Sequence, residues 1–342
     1  MRLIILACFS LLFQNIAFSQ GCCSGGGSNP IAGGATTGVL QQYQMEVSLN
    51  FQNNTSNTFL EGTEEIAQEG IYDELNSQYL FLRTDYGINK KLTLSLATGY
   101  HLNKTLNYKG EDTSATSSGM GDLIIFPRYD IYNETKGNIR TEVTLGVGVK
   151  LPIGSHTDSM EIRTDIWELI PPTIQLSTGG TDLMFYSFFF REYKKQKFRV
   201  FANALYIKKG YNSLDEKFGD YTSLSIFASK TFFRKWGLTT QIKGESVGQL
   251  QARQSKLIDL VVSNEFEAMN FLEKQKATGA KKLFFIPQIS YSQNGITIFA
   301  TSEIPLYQHL NGTQVGSKQQ FTVGVNYRFL TKECEPEFEL EK

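Results

Sequence analysis

The stretch QQYQMEVSLNFQ, Gln41 to Gln52, separates by parity. Tyr43, Met45, Val47, Leu49 and Phe51 are apolar, whereas Gln42, Gln44, Glu46, Ser48, Asn50 and Gln52 are polar. Side chains alternate between the two faces of a strand, so this run predicts a strand with one face out of water and one in it. It is long enough to cross a bilayer, which takes about 9–11 residues of tilted strand.

The same period recurs along the chain. Leu92, Leu94 and Leu96 alternate with Thr93, Ser95 and Ala97, and Val143, Leu145, Val147 and Val149 alternate with Glu142, Thr144, Gly146 and Gly148. Phe321, Val323, Val325 and Tyr327 alternate with Gln320, Thr322, Gly324 and Asn326. Twelve such segments are expected: 41–52, 77–88, 91–102, 121–132, 139–151, 181–192, 198–208, 221–232, 237–247, 283–292, 295–305 and 318–330. Their connections alternate in length. The long ones are 53–76, 103–120, 152–180, 209–220, 248–282 and 306–317; the tight ones are 89–90, 133–138, 193–197, 233–236 and 292–294.

This arrangement predicts an all-β chain: a transmembrane antiparallel β-barrel of about twelve strands, with short periplasmic turns and long external loops. An even strand count returns both termini to the periplasmic end. A soluble β-sandwich competes, but its strands average about five or six residues and carry polar outer faces. Tyr43, Tyr100, Tyr129, Tyr327 and Phe329 end the apolar stripes, where a barrel places its aromatic girdles. A closed sheet also leaves no unpaired backbone group in hydrocarbon. Lipid then lies on the Met45, Val47 and Leu49 side, and the barrel interior on the Gln44, Glu46 and Ser48 side.

Composition agrees with this class. Thirty-three Lys and Arg against 34 Asp and Glu leave the chain near neutral, with no basic patch, so nucleic acid is not an expected partner. No run of about 18 apolar residues follows the first residues, so no helical span is expected. Arg2, the apolar run Leu3 to Phe13 and Ala17-Phe18-Ser19 form a secretory signal pattern, residues 1–19, with the mature chain from Gln20. Residues 20–40 are glycine-rich and either hang in the periplasm or, the favoured reading, fold back into the lumen as a plug; 41–330 are expected to form the barrel, and 331–342 to be a periplasmic tail. Cys22, Cys23 and Cys334 allow one disulfide, from Cys22 or Cys23 to Cys334, and leave one thiol over. The vicinal pair alone offers too few ligands for a metal site.

Several stretches carry a family cadence: GMGDLIIFPRY (Gly119 to Tyr129), GVGVKLPIG (Gly146 to Gly154), PPTIQLSTGGTDL (Pro171 to Leu183), ATGAKKLFFIPQISY (Ala277 to Tyr291) and FTVGVNYRF (Phe321 to Phe329). With these the chain resembles Gram-negative outer-membrane barrels of the phenol-degradation (MetA-pathway) transporter family, distant cousins of FadL-type transporters. The resemblance implies passive passage of small, often apolar molecules across the outer membrane. Its motifs are turns and strand ends rather than reactive residues. Two departures stand out: Asn29-Pro30-Ile31-Ala32 matches the fatty-acid transporter plug motif only loosely, and a thirteen-residue tail follows Phe329.

Alternation assigns the inward residues to two zones. Near the tight turns stand Arg83, Asp85, Arg128, Asp130, Arg140, Glu142, Glu192, Arg199 and Arg328. Arg128 and Asp130 face Arg140 and Glu142 across one turn, so cross-strand ion pairs are expected there, as a lattice that fills the barrel or as a selectivity zone. Farther from the turns the inward residues become apolar: Tyr79, Phe81, Ile124, Phe126, Met184, Tyr186, Phe188, Leu205, Phe284, Ile286 and Phe299. They either line a pocket for apolar guests or pack against loops and plug. Leu257 to Lys274 reads as one helix in the longest loop, a lid or a packed surface segment.

Reactive chemistry has little support. His101 points inward, His156 and His309 sit in loops, and none stands in a persuasive set with an acid and a nucleophile. No enzyme activity and no cofactor are expected. The expected function is a passive outer-membrane channel for small, often hydrophobic solutes, with outer-membrane lipid and the barrel-assembly machinery as partners. A non-conducting structural or adhesive barrel is the second reading, and a membrane hydrolase using His101 or His156 a remote third.

Overall fold

The computed structural model describes residues 38–66, 72–108, 114–163, 165–263 and 265–332. The signal segment 1–19, most of the glycine-rich segment, and Cys22, Cys23 and Cys334 lie outside them. The barrel strands are β1 (Gln44–Ser56), β2 (Tyr72–Gly87), β3 (Leu92–Tyr108), β4 (Leu123–Lys136), β5 (Ile139–Leu151) and β6 (Asp182–Tyr193). They continue as β7 (Phe198–Lys208), β8 (Tyr221–Phe232), β9 (Trp236–Val247), β10 (Ala280–Gln293), β11 (Ile296–Val315) and β12 (Gln320–Leu330). Each pairs antiparallel with its chain neighbours, and β12 returns to β1 in a ladder from Gln44↔Leu330 to Asn54↔Gln320. The sheet is therefore closed and both chain ends leave it at one rim.

The tight turns are built from residues suited to them. Asn89 Oδ1 accepts from the Lys91 and Leu92 N–H groups at 2.8 and 2.9 Å, turning β2 into β3. Gly137-Asn138 links β4 to β5, so these strands run on through 133–136, where a six-residue turn was expected. The β10–β11 turn is Asn294-Gly295, with both residues at positive φ, the geometry that matches strand twist.

At the opposite rim the sheet rises beyond the barrel. The expected loop 306–317 is instead strand: β11 continues to Val315 and pairs with Phe59–Gly62. His309-Leu310-Asn311-Gly312 looks like a turn, but Gly312 at φ 63 lets the chain bend within the ladder, where register shifts between Leu310 and Thr313. The expected single helix is two, α1 (Gln254–Ser263) and α2 (Glu265–Lys276). No described helix is long and apolar enough to cross a membrane.

Parity decides what faces where. Leu49, Leu145, Val147, Ile226, Ile242, Ile298 and Val323 are exposed on the outer surface, with Tyr129, Trp236 and Tyr327 toward the tight-turn rim. Trp236 and Tyr291 meet edge-on at 5.1 Å there. The alternate residues are buried inside: Glu46, Ser48, Asn50 and Gln52 on β1 are all 4% exposed or less. The opening stretch thus faces outward with its apolar set and inward with its polar set.

Candidate functional site

The interior is the candidate site, and it is organised in layers and walls. Near the tight turns an ionic layer spans four strands and reaches β12. Glu46 of β1 stands opposite Asp85 of β2 in the ladder, an unfavourable juxtaposition of like charges. Arg83 resolves it, donating from Nε to Asp85 Oδ2 at 2.8 Å and approaching Glu46 Oε1 at 3.4 Å. Arg128 of β4 donates to the second Asp85 oxygen at 2.8 Å, Ser95 donates to the same oxygen, and Arg328 donates from Nε to Glu46 at 2.7 Å. Asp85 is thus clasped by two arginines in a space from which water is largely excluded.

The partners differ from those suggested by adjacency across the β4–β5 turn. Arg128 turns to Asp85, while Asp130 accepts from the Tyr132 N–H at 3.2 Å, where the β4–β5 register shifts. Arg140 donates to Glu142 at 2.8 Å within β5, and Arg199 to Glu192 at 2.9 Å across β6–β7.

The chain entering β1 also lies inside this layer. The Val39 N–H donates to Glu142 Oε1 at 3.0 Å and the Leu40 N–H to Thr93 Oγ1 at 2.8 Å, both acceptors being inward groups of other strands. A Cβ on Gly38 would stand 2.0 Å from Glu142 Oε1, so any other residue there would make the Glu142 carboxylate shift.

Above the ionic layer, β2 to β8 present an apolar wall. Tyr79, Phe81, Phe126, Met184, Tyr186 and Phe188 join Phe190, Phe201, Leu205, Ile207, Tyr221 and Phe227 in one buried cluster. Phe201 and Phe227 stack at 4.4 Å, and Phe126 meets Tyr186 edge-on at 5.7 Å. Phe284 and Phe299 are buried too, but on β10 and β11, outside this cluster; the Lys243 ammonium sits 4.6 Å over the Phe284 ring.

The other wall, from β8 through β12 to β1, combines hydroxyl, amide and paired charged groups, with Phe284, Ile286 and Phe299 set among them. Thr239 Oγ1 donates to Ser229 Oγ at 2.8 Å and Gln241 Nε2 to Ser225 Oγ at 3.0 Å. Lys243 is held by Glu303 at 2.8 Å and Glu245 at 3.5 Å, and Tyr221 donates to Glu245 at 3.1 Å. A cavity of about 420 Å³ opens at the tight-turn end of this wall, lined by Ser229, Thr239, Ser290, Thr297, Asn326 and Arg328 among others.

A second ionic cluster closes the loop end. Asp182 of β6 faces Lys150 of β5 directly, at 3.1 Å, and accepts from Lys209 at 2.9 Å and from the Gly210 N–H at 3.1 Å. Lys150 also pairs with Asp122. The inward alternation of β5 and β6, continued to the strand ends, points to Lys150 and Asp182; the charge network expected near the tight turns did not include them. Outside the strands, desolvation raises the Asp220 carboxyl, but bonds from the Lys209 N–H, Lys217 and Tyr206 outweigh it and hold the group below the usual carboxylate range.

Over this end, the loops enclose a cavity of about 410 Å³ between residues 156–178, 212–218 and α2, lined by Trp167, Ile170, Pro171, Leu214, Leu250 and Phe271 among others. His156 Nε2 lies 2.8 Å from Ser213 Oγ there, while Asp158 accepts from Ser155 Oγ at 2.5 Å. His101 stacks on Tyr79 at 4.4 Å, and His309 lies beside Gly62. These placements bring no carboxylate to either histidine ring nitrogen of a Ser–His pair among the described hydrogen bonds. No cluster of three or more His, Cys, Asp or Glu able to hold a metal occurs among the described residues.

No sequence-family model matches the chain, and no curated protein does. Among solved structures, the β domain of a Bordetella autotransporter aligns at TM-score 0.46 and 8% identity over 84% of this chain and 99% of its own. A FadL homologue from Pseudomonas aeruginosa aligns at TM-score 0.40 and 7% identity, over 83% and 90%. An outer membrane channel from Pseudomonas putida F1 aligns at TM-score 0.61 and 12% identity over 87% of this chain and 99% of its own. The chain has the fold of an outer-membrane β-barrel.

Proposed function

We propose that this chain is a passive channel for small molecules in the Gram-negative outer membrane. One observation carries the reading: a closed twelve-stranded barrel with an apolar exterior turns buried hydroxyl, amide and charged side chains inward from β8 through β12 to β1, with Phe284, Ile286 and Phe299 set among them. A barrel that only anchored loops could fill its centre with apolar side chains all round, as small barrels do. A polar wall against one apolar wall instead suits a hydrated route. The similarity to a solved outer membrane channel supports the same reading. Such a protein is inserted by barrel-assembly machinery, binds no cofactor and performs no covalent chemistry.

The packed aromatic wall and the entry of Gly38 to Leu40 into the ionic layer favour a second reading, a barrel that conducts only when its N-terminal segment moves. Electrolyte conductance of the purified protein in planar bilayers separates the two. Steady openings support an open channel; rare openings that become steady once residues 24–40 are removed support the gated one. Silence from both forms, with folded barrel present in the bilayer, removes the channel assignment.

A further inference from the structure

We propose that solute travels along the hydroxyl and amide wall, and that the solutes it suits are small, uncharged, hydrogen-bonding molecules of the polyol class. This rests on the channel reading and narrows its substrate class.

The two walls differ in what they leave available. On the apolar wall the rings are used by one another, stacked or edge-on at 4.4–6.4 Å, and offer a guest no open face. On the polar wall, Ser48 Oγ and Gln52 Oε1 point inward from β1 with no hydrogen-bond partner among the described residues, although both residues are 3% exposed or less. A buried polar atom without a partner is unfavourable. Both atoms are covered, so the groups a solute meets first are those of the cavity, where Ser229, Thr239, Gln288, Ser290 and Thr297 can each donate or accept as a hydroxyl-bearing solute requires.

Charge along this wall is largely cancelled. Lys243 is matched by Glu245 and Glu303, and Arg328 by Glu46. The interior therefore applies little field to select an ion, while its hydroxyls and amides can replace the hydration of a neutral solute. An apolar solute could not replace those bonds. The cavity at the tight-turn end continues the same surface, since Ser229, Thr239, Ser290 and Thr297 line it. Arg234 and Lys235 also border that cavity, which makes small carboxylates the competing class.

The test uses proteoliposomes of the mature full-length protein, with swelling followed in erythritol, arabinose and gluconate, and uptake followed for an alkylphenol. Electrolyte conductance is recorded on the same preparation. The variants are Ser225→Phe and Thr239→Phe on the polar wall, the milder Ser225→Leu, and Phe188→Leu on the apolar wall. Heat-modifiable gel mobility confirms that each is folded. Erythritol and arabinose should permeate faster than gluconate, and Phe at 225 or 239 should slow them by about fivefold or more by narrowing the route. Phe188→Leu should leave them within about twofold of the unaltered protein. Conductance with polyols excluded, faster entry of gluconate, or polar-wall variants without effect overturns the solute class and route while the channel reading stands. Absence of both conductance and swelling overturns both.

Discussion

Asp182 shows how much one carboxylate can hold in this interior. It is fully buried, pairs with Lys150 and Lys209, and accepts the Gly210 N–H. Removing it leaves two lysines buried with less compensation, and breaking such a pair typically costs about 3–5 kcal/mol. Asp182→Ala should therefore lower the urea-unfolding free energy in detergent or liposomes by about that amount. A change within experimental error would show that the lysines find other partners. Asp85→Asn should behave similarly, since it weakens the holds of Arg83 and Arg128 together. That Arg83, Asp85, Arg128 and Glu142 face inward was legible from parity alone. Their partners were not, because partner choice depends on register: only the pairing of β1 with β2 brings Glu46 opposite Asp85 and makes Arg83 the bridge.

At the scale of elements, all twelve strands were legible because each is long and most keep a period of two, although Phe and Tyr occupy both phases in β6, β7 and β8. Their ends were less so. The β4–β5 hairpin hid its true turn because Asn133-Glu134-Thr135-Lys136 is polar in both phases, as a strand rising out of hydrocarbon into water is free to be. The extension of β11 was hidden by Asn311-Gly312, a turn signal absorbed as a bend. Turn chemistry gives a direct test at Gly295, whose φ is 79° and whose Cβ would stand 2.4 Å from the Arg328 carbonyl oxygen. Gly295→Val should cost about 1–3 kcal/mol and slow refolding from urea into detergent; unaltered stability would contradict the turn geometry. The entering segment is testable in the same way. Because the Val39 and Leu40 N–H groups bond to Glu142 and Thr93 inside the barrel, the gated reading predicts that deletion of residues 24–40 raises conductance by about twofold or more. An unchanged conductance would place the segment away from the route.

For the whole molecule, the sequence carried the distinction between inside and outside but not the division of the interior. Most apolar inward residues lie on β2 to β8, with Phe284, Ile286 and Phe299 on β10 and β11, and period-two alternation says only that each points inward. Closure is what gathers Tyr79, Phe126, Tyr186 and Phe201 into one wall and sets β9, β12 and β1 against it. The loop cavity was beyond sequence reading for a similar reason: Trp167, Leu214 and Phe271 come from three loops that meet only when the barrel is complete.

The account depends on a single two-sided wall, and the opening stretch tests it. Nitroxides would be placed one at a time at positions 45 to 52, in protein whose Cys22, Cys23 and Cys334 are replaced by Ser, reconstituted in lipid. Collision with oxygen should peak at Met45, Val47, Leu49 and Phe51 and fall at Glu46, Ser48, Asn50 and Gln52. A water-soluble relaxant reaching Leu49 as readily as the rim residues, with no alternation along the strand, would show that this face never meets acyl chains.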